Sequence, residues 1–290
     1  MRRYHWHHGN PERYRVITVQ GAFHGRSLAC IAAGKQEKHL TGFGPETDGF
    51  DQVAFDNLNE LKSAIGPETA GILVEPVQGE GGIRPMSDEY MQGLRATADE
   101  FGLLLMFDEV QCGVGRTGKL YAHEWSGIAP DILASAKGLG GGFPIAAALA
   151  NERVAEAMTA GSHGSTYGGN PLAMAAGNAV LDVVLKPGFM ENVQARGDEL
   201  KAGLEKLVAK YPTLLESARG RGLMVGLKCS AKILNGDLVA KAMAHGLLSV
   251  PAGDNVVRFV PPMVITSEQI NEAVSILDTA LSELSSDSTD

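Results

Sequence analysis

The sequence lacks the features that mark several large classes of protein. Only three of its 290 residues are cysteines, at positions 30, 112 and 229, and no two of them form a C-x-x-C pair. Neither a disulfide framework nor a zinc site is predicted, and a reducing cytoplasm is the expected location. The run His5-Trp6-His7-His8 has no cysteine or acid among its immediate neighbours, so we expect no metal there.

Long apolar segments and an excess of positive charge are also missing. No stretch approaches about 18 consecutive apolar residues, and the basic N-terminus lacks the apolar core of a signal peptide. Lysine and arginine number 25 against 34 acidic residues, which gives a net charge of −9. We therefore expect a protein that is not exported and whose partners are neither membranes nor nucleic acids.

Glycine is the abundant residue. It accounts for 36 of the 290 residues, and proline adds a further 13. Together they stay below the roughly 25–30% that marks low-complexity chains. These glycines are therefore expected inside a folded protein, at tight turns and where the backbone closely approaches another group.

The first two thirds of the chain alternate short β-branched segments with helical patterns. This alternation is typical of an α/β fold, a largely parallel sheet covered by helices. The predicted strands are Arg15–Val19, Thr69–Glu75, Leu103–Asp108, Ile132–Ala136 and Ile145–Ala150. The predicted helices are Asn57–Ile65, Ser87–Phe101 and an alanine-rich one, expected to be buried, at Pro171–Leu185.

The pattern changes after Lys186-Pro187-Gly188, where a long charged helix begins. We predict a large domain at residues 1–185, a smaller α+β domain at residues 186–285 and a disordered tail at residues 286–290. In the smaller domain the predicted helices are Phe189–Tyr211, Gly236–His245 and Ser267–Leu284, and the predicted strands are Leu223–Lys228 and Val256–Phe259.

One predicted strand ends in two acids, Asp108 and Glu109, at the edge where open α/β sheets bind ligands. Three interpretations compete: the metal-holding strand of a P-loop ATPase, a dinucleotide site with the G-x-G-x-x-G at residues 113–118, or acids solvated at a strand end. The chain has no G-x-x-x-x-G-K-[ST] motif, and the glycine motif does not follow the strand directly. The sequence therefore disfavours the first two.

A second candidate is Lys137, which follows another predicted strand and precedes a run of glycines. Neighbours without side chains let a carbon atom approach the ε-amine, as the formation of a Schiff base requires. On its own, such a lysine is more often a solvated strand end.

Six segments stand out along the chain: Phe23-His24-Gly25-Arg26, Glu75–Gly82, Phe107–Gln111, Ser135–Pro144, His163–Pro171 and Arg258–Pro262. Together they resemble the class III (ornithine-type) pyridoxal-phosphate aminotransferases, and most closely the acetylornithine aminotransferases. The resemblance implies the fold type I of PLP-dependent transferases, with a mainly parallel mixed sheet flanked by helices and a smaller C-terminal α+β domain. It also implies a homodimer with shared active sites.

The resemblance assigns roles around pyridoxal 5′-phosphate (PLP). Lys137 becomes the catalytic residue that forms the Schiff base with the cofactor and moves a proton. Asp108 would pair with the pyridinium nitrogen, and Gln111 would lie near the phenolic oxygen. Phe23 would stack on the ring, and Thr166 would bond the phosphate held by the other subunit. His24 is expected to be structural rather than a general base.

Substrate recognition requires cations, because the substrates carry carboxylates. By resemblance, Arg258 binds the α-carboxylate, and Arg26 is the partner of the second carboxylate or of the distal acyl end. Glu80 occupies the position of an acid that can pair with Arg258 and mask it when a δ-amino substrate is bound. Glu75 and Ser165 complete the predicted substrate-binding residues.

The implied activity transfers the amino group of N2-acetyl-L-ornithine to 2-oxoglutarate in arginine biosynthesis, through a ping-pong cycle. Succinylornithine, ornithine and 4-aminobutyrate are alternative donors. Two alternatives from other functional classes stay open. One is an inactive truncated homologue that dimerises without cofactor, and the other is a pyridine-nucleotide oxidoreductase. A violet absorption band would distinguish the enzyme from both.

One expected element is not found in the sequence. The resemblance implies a Gly/Ser/Thr-rich loop for the PLP phosphate in a segment that would precede Tyr4, and nothing before Phe23 resembles it. We therefore expect the chain as written to lack that segment, to hold PLP poorly and to show little activity.

Overall fold

The computed structural model describes residues 1–287 of the chain and the side chains of residues 1–286. In chain order, the described strands β1 to β12 are Arg15–Val19, Phe50–Val53, Thr69–Val74, Val77–Gln78, Arg84–Pro85, Leu104–Asp108, Ile132–Ser135, Ala147–Ala150, Leu215–Arg221, Met224–Cys229, Val250–Ala252 and Val256–Phe259. The described helices α1 to α10 are Arg2–His7, Leu28–Gly34, Glu37–Leu40, Leu58–Ser63, Asp88–Phe101, Glu152–Ala155, Pro171–Val184, Phe189–Lys210, Asn235–Ala244 and Ser267–Asp287. Two short 3-10 turns lie at Ala122–Trp125 and Lys137–Gly140.

The chain divides into two compact units. The first comprises Met1–Pro76, Met86–Val114 and Tyr121–Val184, and the second comprises Val77–Pro85, Gly115–Leu120 and Leu185–Asp290. Val77–Pro85 and Gly115–Leu120 thus belong to the second unit, although they lie within residues 1–185. Both segments form hydrogen bonds with residues of that unit, such as Gly82 with Arg219 and Arg116 with Pro261. The contiguous division at residues 185 and 186 stays a prediction.

The first unit contains a six-stranded sheet in the order β2-β1-β3-β6-β7-β8. Neighbouring strands are parallel from β2 to β7, and β8 runs antiparallel to β7 at the edge. The predicted mainly parallel mixed sheet is therefore confirmed. Its buried side chains include Ile17, Val19, Ile72, Val74, Leu105 and Phe107.

Helix α5 shows how the local sequence sets the ends of an element. The Ser87 hydroxyl accepts a hydrogen bond of 3.1 Å from the backbone N–H of Tyr90, and Gly102 ends the helix at a φ of 62°. The hydroxyl satisfies a free N–H of the first turn, and glycine adopts the left-handed conformation without a Cβ penalty. Met91, Leu94 and other apolar residues then pack one face of the helix into the core.

Helix α7 departs from its predicted burial. The sequence predicts a buried helix at Pro171–Leu185, but among its residues only Ala173, Gly177 and Val184 are buried, and Leu172 is 66% exposed. The buried residues share one helical face, where a Cβ on Gly177 would lie 3.3 Å from Ile145. Asn178 and Asp182, four residues apart, are polar, but the exposed positions also include Leu172 and Met174, so the sequence pattern does not reveal that only one face is covered within the single chain.

The second unit contains an antiparallel sheet in the order β11-β12-β10-β9 and a separate hairpin of β4 and β5. Helices α8, α9 and α10 share an apolar core with the four-stranded sheet, so the predicted smaller α+β unit is confirmed. That core includes Leu200, Leu204, Val225, Leu238, Val257 and Leu277. Helix α10 is described through Asp287, residues 288–290 of the predicted tail lie outside the described residues, and the disordered tail stays a prediction.

Membrane-spanning and metal-binding features were sought in the same described residues. There, no single helix is long and apolar enough to cross a membrane, and the consecutive helices α7 and α8 meet the criterion only jointly, by length and composition. No group of three or more His, Cys, Asp or Glu side chains within residues 1–286 is placed to hold a metal ion. His5 of the N-terminal histidine run is buried, and its Nε2 lies 2.8 Å from the carbonyl oxygen of Ala70.

Candidate active site

The carboxyl ends of two neighbouring parallel strands bring the predicted catalytic residues to one edge of the first unit. Asp108, at the end of β6, is paired in register with Ala134 of β7, and Lys137 follows three residues later. Parallel strands end at the same edge, which is where open α/β sheets bind ligands. The sheet topology therefore places Asp108 and Lys137 in one region of the molecule.

The backbone at Lys137 has a conformation that is uncommon for a side-chain-bearing residue. Its φ is 42°, in the left-handed region, and it begins the 3-10 turn Lys137–Gly140. The side chain is exposed, and no hydrogen bond or ion pair to another described residue involves its amine. Strained conformations of this kind concentrate at functional sites, and an exposed side chain without another partner is accessible to a ligand.

The glycines after Lys137 are required by close packing. A Cβ at Gly140 would lie 2.7 Å from the side chain of Ile145, and one at Gly141 would lie 2.8 Å from Val180. A Cβ at Gly142 would meet nothing within 4 Å. The turn is therefore packed against its own unit at two glycines and open at the third.

Asp108 is paired with His24, whose role the sequence leaves as structural. His24 Nδ1 lies 2.9 Å from Asp108 Oδ2, and the side chains are 3% and 11% exposed. The backbone N–H of Val110 donates to the other carboxylate oxygen at 3.1 Å. Each oxygen thus has one partner, which leaves acceptor capacity on a carboxylate that is nearly closed to water.

His24 contributes a second feature. Its Nε2 is buried and has no hydrogen-bond partner among the described residues. A buried polar atom without a partner is uncommon in a protein, and such atoms cluster at binding and catalytic sites. The pair of Asp108 and His24 therefore has the character of a ligand site.

Phe23, Arg26 and Glu75 form a second group in the first unit. The carboxylate of Glu75, which is buried, accepts a hydrogen bond of 3.0 Å from the backbone N–H of Phe23. The guanidinium of Arg26 lies 5.5 Å from the centre of the Phe23 ring, within the range of a cation–π contact. Glu75 thus orients the backbone that carries both predicted ligand-binding side chains.

Sequence reasoning assigns no role to Glu109, and the structure shows what it holds. Glu109 is fully buried and accepts hydrogen bonds from the backbone N–H groups of Ala122 and His123, at 2.7 and 2.9 Å. His123 Nδ1 lies 2.8 Å from the same carboxylate. Glu109 therefore anchors the 3-10 turn Ala122–Trp125, and its place beside Asp108 at a strand end was the available signal.

The remaining predicted residues of the first unit lie in less constrained places. Gln111 is half-buried in the turn after β6. Ser165 and Thr166 are exposed in the segment between α6 and α7, and their hydroxyls have no hydrogen-bond partner among residues 1–287. The structure leaves the predicted roles of these three residues as predictions.

The second unit holds the other predicted substrate group. Arg258 lies on β12, and its Nη1 donates a hydrogen bond of 2.6 Å to Oε1 of Glu80, in the turn between β4 and β5. The two side chains are 10% and 36% exposed, respectively. The sequence predicted this pairing of acid and arginine, and its two members are separated by most of the chain.

A cavity of about 460 Å³ in the second unit borders Arg258. Its lining is mainly apolar and includes Leu247, Val250, Phe259, Pro261 and Ile270. Arg258 therefore lies at the margin of a mainly apolar space.

The glycine motif at residues 113–118 does not form a dinucleotide site. In the described chain no helix begins within or directly after it, so the helix N-terminus that would hold a pyrophosphate is missing there. Arg116 of the motif instead donates hydrogen bonds to the carbonyl groups of Leu223 and Pro261 within the second unit. Burial lowers the pKa of Arg116 to about 10.

Comparison with known proteins decides the family. The sequence model of the family described as aminotransferase class-III matches residues 1–281. The chain belongs to the class III aminotransferase family. It is 58% identical over 284 residues to the acetylornithine aminotransferase of Brucella melitensis, covering 98% of this chain and 70% of that protein. It is also 58% identical to the Mesorhizobium japonicum enzyme of the same name, covering 94% and 68% of the two chains.

Solved structures of the family agree with this assignment. The ornithine aminotransferase of Toxoplasma gondii aligns with a TM-score of 0.93 at 31% identity, covering 99% of this chain and 69% of that one. The N-acetylornithine aminotransferase of Stenotrophomonas maltophilia aligns with a TM-score of 0.82 at 32% identity, covering 98% and 70%. The predicted fold of this class III aminotransferase is therefore confirmed, and the chain spans about 70% of the length of these relatives.

PLP is the cofactor of class III aminotransferases, and the residues at the strand edge fit its ring and aldehyde. Asp108 is an acceptor nearly closed to water, as a protonated ring nitrogen requires, and Lys137 offers an amine with no other partner. Next to Asp108, the Nε2 atom of His24 is buried and has no hydrogen-bond partner among the described residues. The chain is thus a PLP-dependent transaminase by family, with the side chains for that chemistry at one sheet edge.

Proposed function

We propose that this class III aminotransferase transfers the amino group of N2-acetyl-L-ornithine to 2-oxoglutarate, as a step of arginine biosynthesis and in a ping-pong cycle. The observation that carries the proposal is the 2.6 Å contact of Glu80 with the buried guanidinium of Arg258. Relatives named acetylornithine aminotransferase, 50–58% identical to this chain, support it.

The Glu80–Arg258 contact suits a reaction with two unlike substrates. A donor that reacts at its δ-amino group has no carboxylate beside the reacting carbon, so an uncompensated arginine there would cost free energy. 2-Oxoglutarate has such a carboxylate, which binds a guanidinium as a bidentate partner. An acid that pairs with Arg258 in one half-reaction and leaves it in the other serves both substrates.

When bound, PLP supplies an electron sink for the negative charge that develops on the reacting carbon. Asp108 would hold the proton on the ring nitrogen, because its remaining acceptor capacity lies in a place nearly closed to water. His24 holds the carboxylate of Asp108 in position through Nδ1. The Nζ of Lys137 would take the proton from the substrate carbon that bears the amino group and return it on the acceptor side.

The group of Phe23 and Arg26 would complete the recognition of substrate and cofactor. Phe23 would stack on the ring, and Arg26 beside it would meet the second carboxylate of 2-oxoglutarate or the acyl end of the donor. Glu75 fixes the backbone of Phe23, and Gln111 and Ser165 are proposed at the margin of the site.

We also propose that the enzyme is a cytoplasmic homodimer with shared active sites. The exposed loop with Thr166, which would bond the phosphate held by the other subunit, supports the dimer. Exposed apolar side chains on β8 and α7 support it too, because monomeric proteins rarely leave such groups uncovered. They include Leu149, Leu172, Met174 and Val183.

The test compares amino donors in single-turnover reactions of the PLP-loaded protein. We expect N-acetylornithine to react fastest, and succinylornithine, ornithine and 4-aminobutyrate to react more slowly. Ornithine is the second candidate, because an ornithine aminotransferase aligns with a TM-score of 0.93. A higher kcat/KM for ornithine than for N-acetylornithine would replace the proposed donor, and absence of any cofactor band would refute the proposal.

A further inference from the structure

Polar contacts in the second unit hold the turn that carries Glu80. We call this turn, Gly79–Ile83 between β4 and β5, the glutamate turn. Arg219, on β9, donates to the carbonyl oxygen of Gly82 through Nε at 2.9 Å and through Nη2 at 2.7 Å. The same Nη2 lies 2.7 Å from Oδ2 of Asp254. One guanidinium thus joins the glutamate turn to a second turn.

The second turn, Gly253–Asn255, lies between β11 and β12. Asp254 and Asn255 both have left-handed backbone conformations, with φ of 55° and 51°. Lys228 Nζ lies 2.6 Å from Oδ1 of Asp254, so the carboxylate of Asp254 has a cation on each oxygen. Burial acts to raise the pKa of Asp254, but the hydrogen bonds from Lys228 and Arg219 outweigh it and lower the pKa below its ordinary value.

The two turns also touch through their backbones. The N–H of Gly253 donates a hydrogen bond of 2.8 Å to the carbonyl oxygen of Glu80 itself. A Cβ at Gly82 would lie 2.6 Å from the carbonyl oxygen of Gly253, and a Cβ at Gly253 would lie 2.9 Å from that of Glu80. Side chains at these two positions would push the turns apart, so the contact depends on both glycines.

We propose that Arg219 and Asp254 are positioning residues that hold the Glu80 carboxylate on Arg258 and thereby set how easily a substrate carboxylate displaces it. The inference rests on the proposed function, in which Glu80 and Arg258 separate the two half-reactions. Neither Arg219 nor Asp254 touches Arg258 in the described contacts. They act through the backbone of the glutamate turn, which fixes where the Glu80 side chain starts.

The two positioning residues have opposite charges, which makes the mechanism testable. Arg219→Met removes a cation, and Asp254→Asn removes an anion. If long-range charge alone governed the binding of a carboxylate to Arg258, the two variants would shift the affinity in opposite directions. If they act by holding the turn, both variants shift it in the same direction.

The experiment measures the binding of glutarate, a dicarboxylate that cannot be transaminated, by calorimetry on the full chain loaded with PLP. We expect Glu80→Gln to tighten glutarate by about tenfold, because the competing charge is gone. Arg219→Met and Asp254→Asn should each tighten glutarate binding by about threefold to fivefold, which is smaller than the effect of Glu80→Gln. Arg219→Lys, which keeps the charge but loses the fork to two acceptors, should behave like Arg219→Met.

A double-variant cycle provides the decisive comparison. In the Glu80→Gln background, Arg219→Met and Asp254→Asn should change the glutarate affinity by less than about twofold, because residues that act through one group are not additive. Hydrogen exchange of residues 79–83 should be faster in both single variants, while exchange of β10 shows that the unit stays folded. Lys210→Met, which removes the ion pair with Asp278 in the same unit, is the matched control and should change neither quantity.

The outcomes separate this inference from the proposed function. Opposite shifts for Arg219→Met and Asp254→Asn, or undiminished effects in the Glu80→Gln background, overturn the inference. Unchanged glutarate binding in both variants, with tighter binding in Glu80→Gln and weaker binding in Arg258→Ala, also overturns it and leaves the proposed function standing. Unchanged binding in Arg258→Ala refutes the proposed role of Arg258, and the inference falls with it.

Discussion

Each unit contains one paired acid among its predicted site residues, Asp108 in the first unit and Glu80 in the second, and the two acids differ in how far water reaches them. Asp108 is nearly closed to water, and its oxygens are bonded to His24 and to the backbone at Val110. Glu80 is about one third open, although its partner Arg258 is buried. The first pair is built to keep one arrangement, whereas the second leaves an acid that another carboxylate can replace.

The elements that carry the two acids explain this difference. Asp108 ends a central strand with neighbours on both sides, so its backbone is fixed by the sheet. Glu80 lies in a turn of a two-stranded hairpin, whose position depends on Arg219 and Gly253. The permanent role proposed for Asp108 thus lies on a regular element, and the exchangeable role proposed for Glu80 lies on a turn.

The largest expected effect breaks the first unit's site altogether. Lys137→Ala removes the amine that moves the proton, so we expect turnover to fall by about a thousandfold or more. The measurement is the rate with N-acetylornithine and 2-oxoglutarate after loading with PLP. Lys62→Ala, at an exposed lysine paired with Glu100, is the matched control and should keep the full rate. A rate within tenfold of the parent would remove Lys137 from the mechanism.

The next change tests whether the fixed pair needs its charge. Asp108→Asn keeps the shape of the side chain but removes the negative charge that would hold a proton on the ring nitrogen. We expect the loss of amino group from the donor to slow on the order of a hundredfold, with the fold intact. Stopped-flow spectroscopy measures this half-reaction, and Asp88→Asn, in the first turn of α5, is the control. An unchanged rate would show that Asp108 acts only in the structure.

The exchangeable pair is tested by Arg258→Ala. Removing a charge-assisted partner costs about 1.5–3 kcal/mol, so we expect the half-reaction with 2-oxoglutarate to slow by roughly 10-fold to 100-fold. The half-reaction with N-acetylornithine should slow less, because Arg258 is paired with Glu80 there. Single-turnover rates with each substrate measure the split, and Arg196→Ala, at a helix-surface ion pair, is the control. Equal losses in both half-reactions would argue against an exchange of partners.

Asp131 is an acid with a purely structural role, and it can be compared with Asp108 and Glu80. Its replacement has the smallest expected effect on turnover. Asp131 is buried and accepts hydrogen bonds from the backbone of Leu105 and from Arg95 and Arg153. Burial acts to raise the pKa of Asp131, but these bonds outweigh it and lower the pKa. The folded carboxyl therefore binds protons less readily than the unfolded one, so its stabilisation is present above the ordinary pKa of about 3.9 and is lost as the pH falls.

Asp131→Asn should remove that dependence. We expect it to lower the free energy of unfolding by about 3 kcal/mol at neutral pH and to flatten the decline of Tm below about pH 4. Asp99→Asn changes an exposed acid that pairs with the same Arg95 and should have a much smaller effect. A parallel decline of Tm in Asp131→Asn and the parent would contradict this account.

Local signals in the sequence predict a large part of this structure. Strands β1 and β12 have their predicted bounds, and α5, Asp88–Phe101, ends at the predicted residue and begins one residue after the predicted start. These elements follow from β-branched runs, capping residues and glycine, which act within a few residues of each other. The proposed roles of Lys137 and Asp108 likewise rest on short motifs.

Other features carry no local signal. Strand β9, Leu215–Arg221, is polar along most of its length and was not predicted, because its place is set by pairing with β10. The sequence predicts that α7 is buried, and within the single chain only the face with Ala173, Gly177 and Val184 is covered, because a largely apolar pattern does not reveal which face packs within the chain.

The sequence by itself therefore determined the family and the α/β order of elements, and it predicted the reactive groups, since each depends on short motifs. Only the tertiary structure decided which charges meet. His24 reaches Asp108, and Arg219 reaches the turn that holds Glu80, across separations in sequence that no local pattern spans. Such pairings arise when strands and turns distant in the chain pack together, and the free energy of that packing belongs to the whole unit rather than to any one segment.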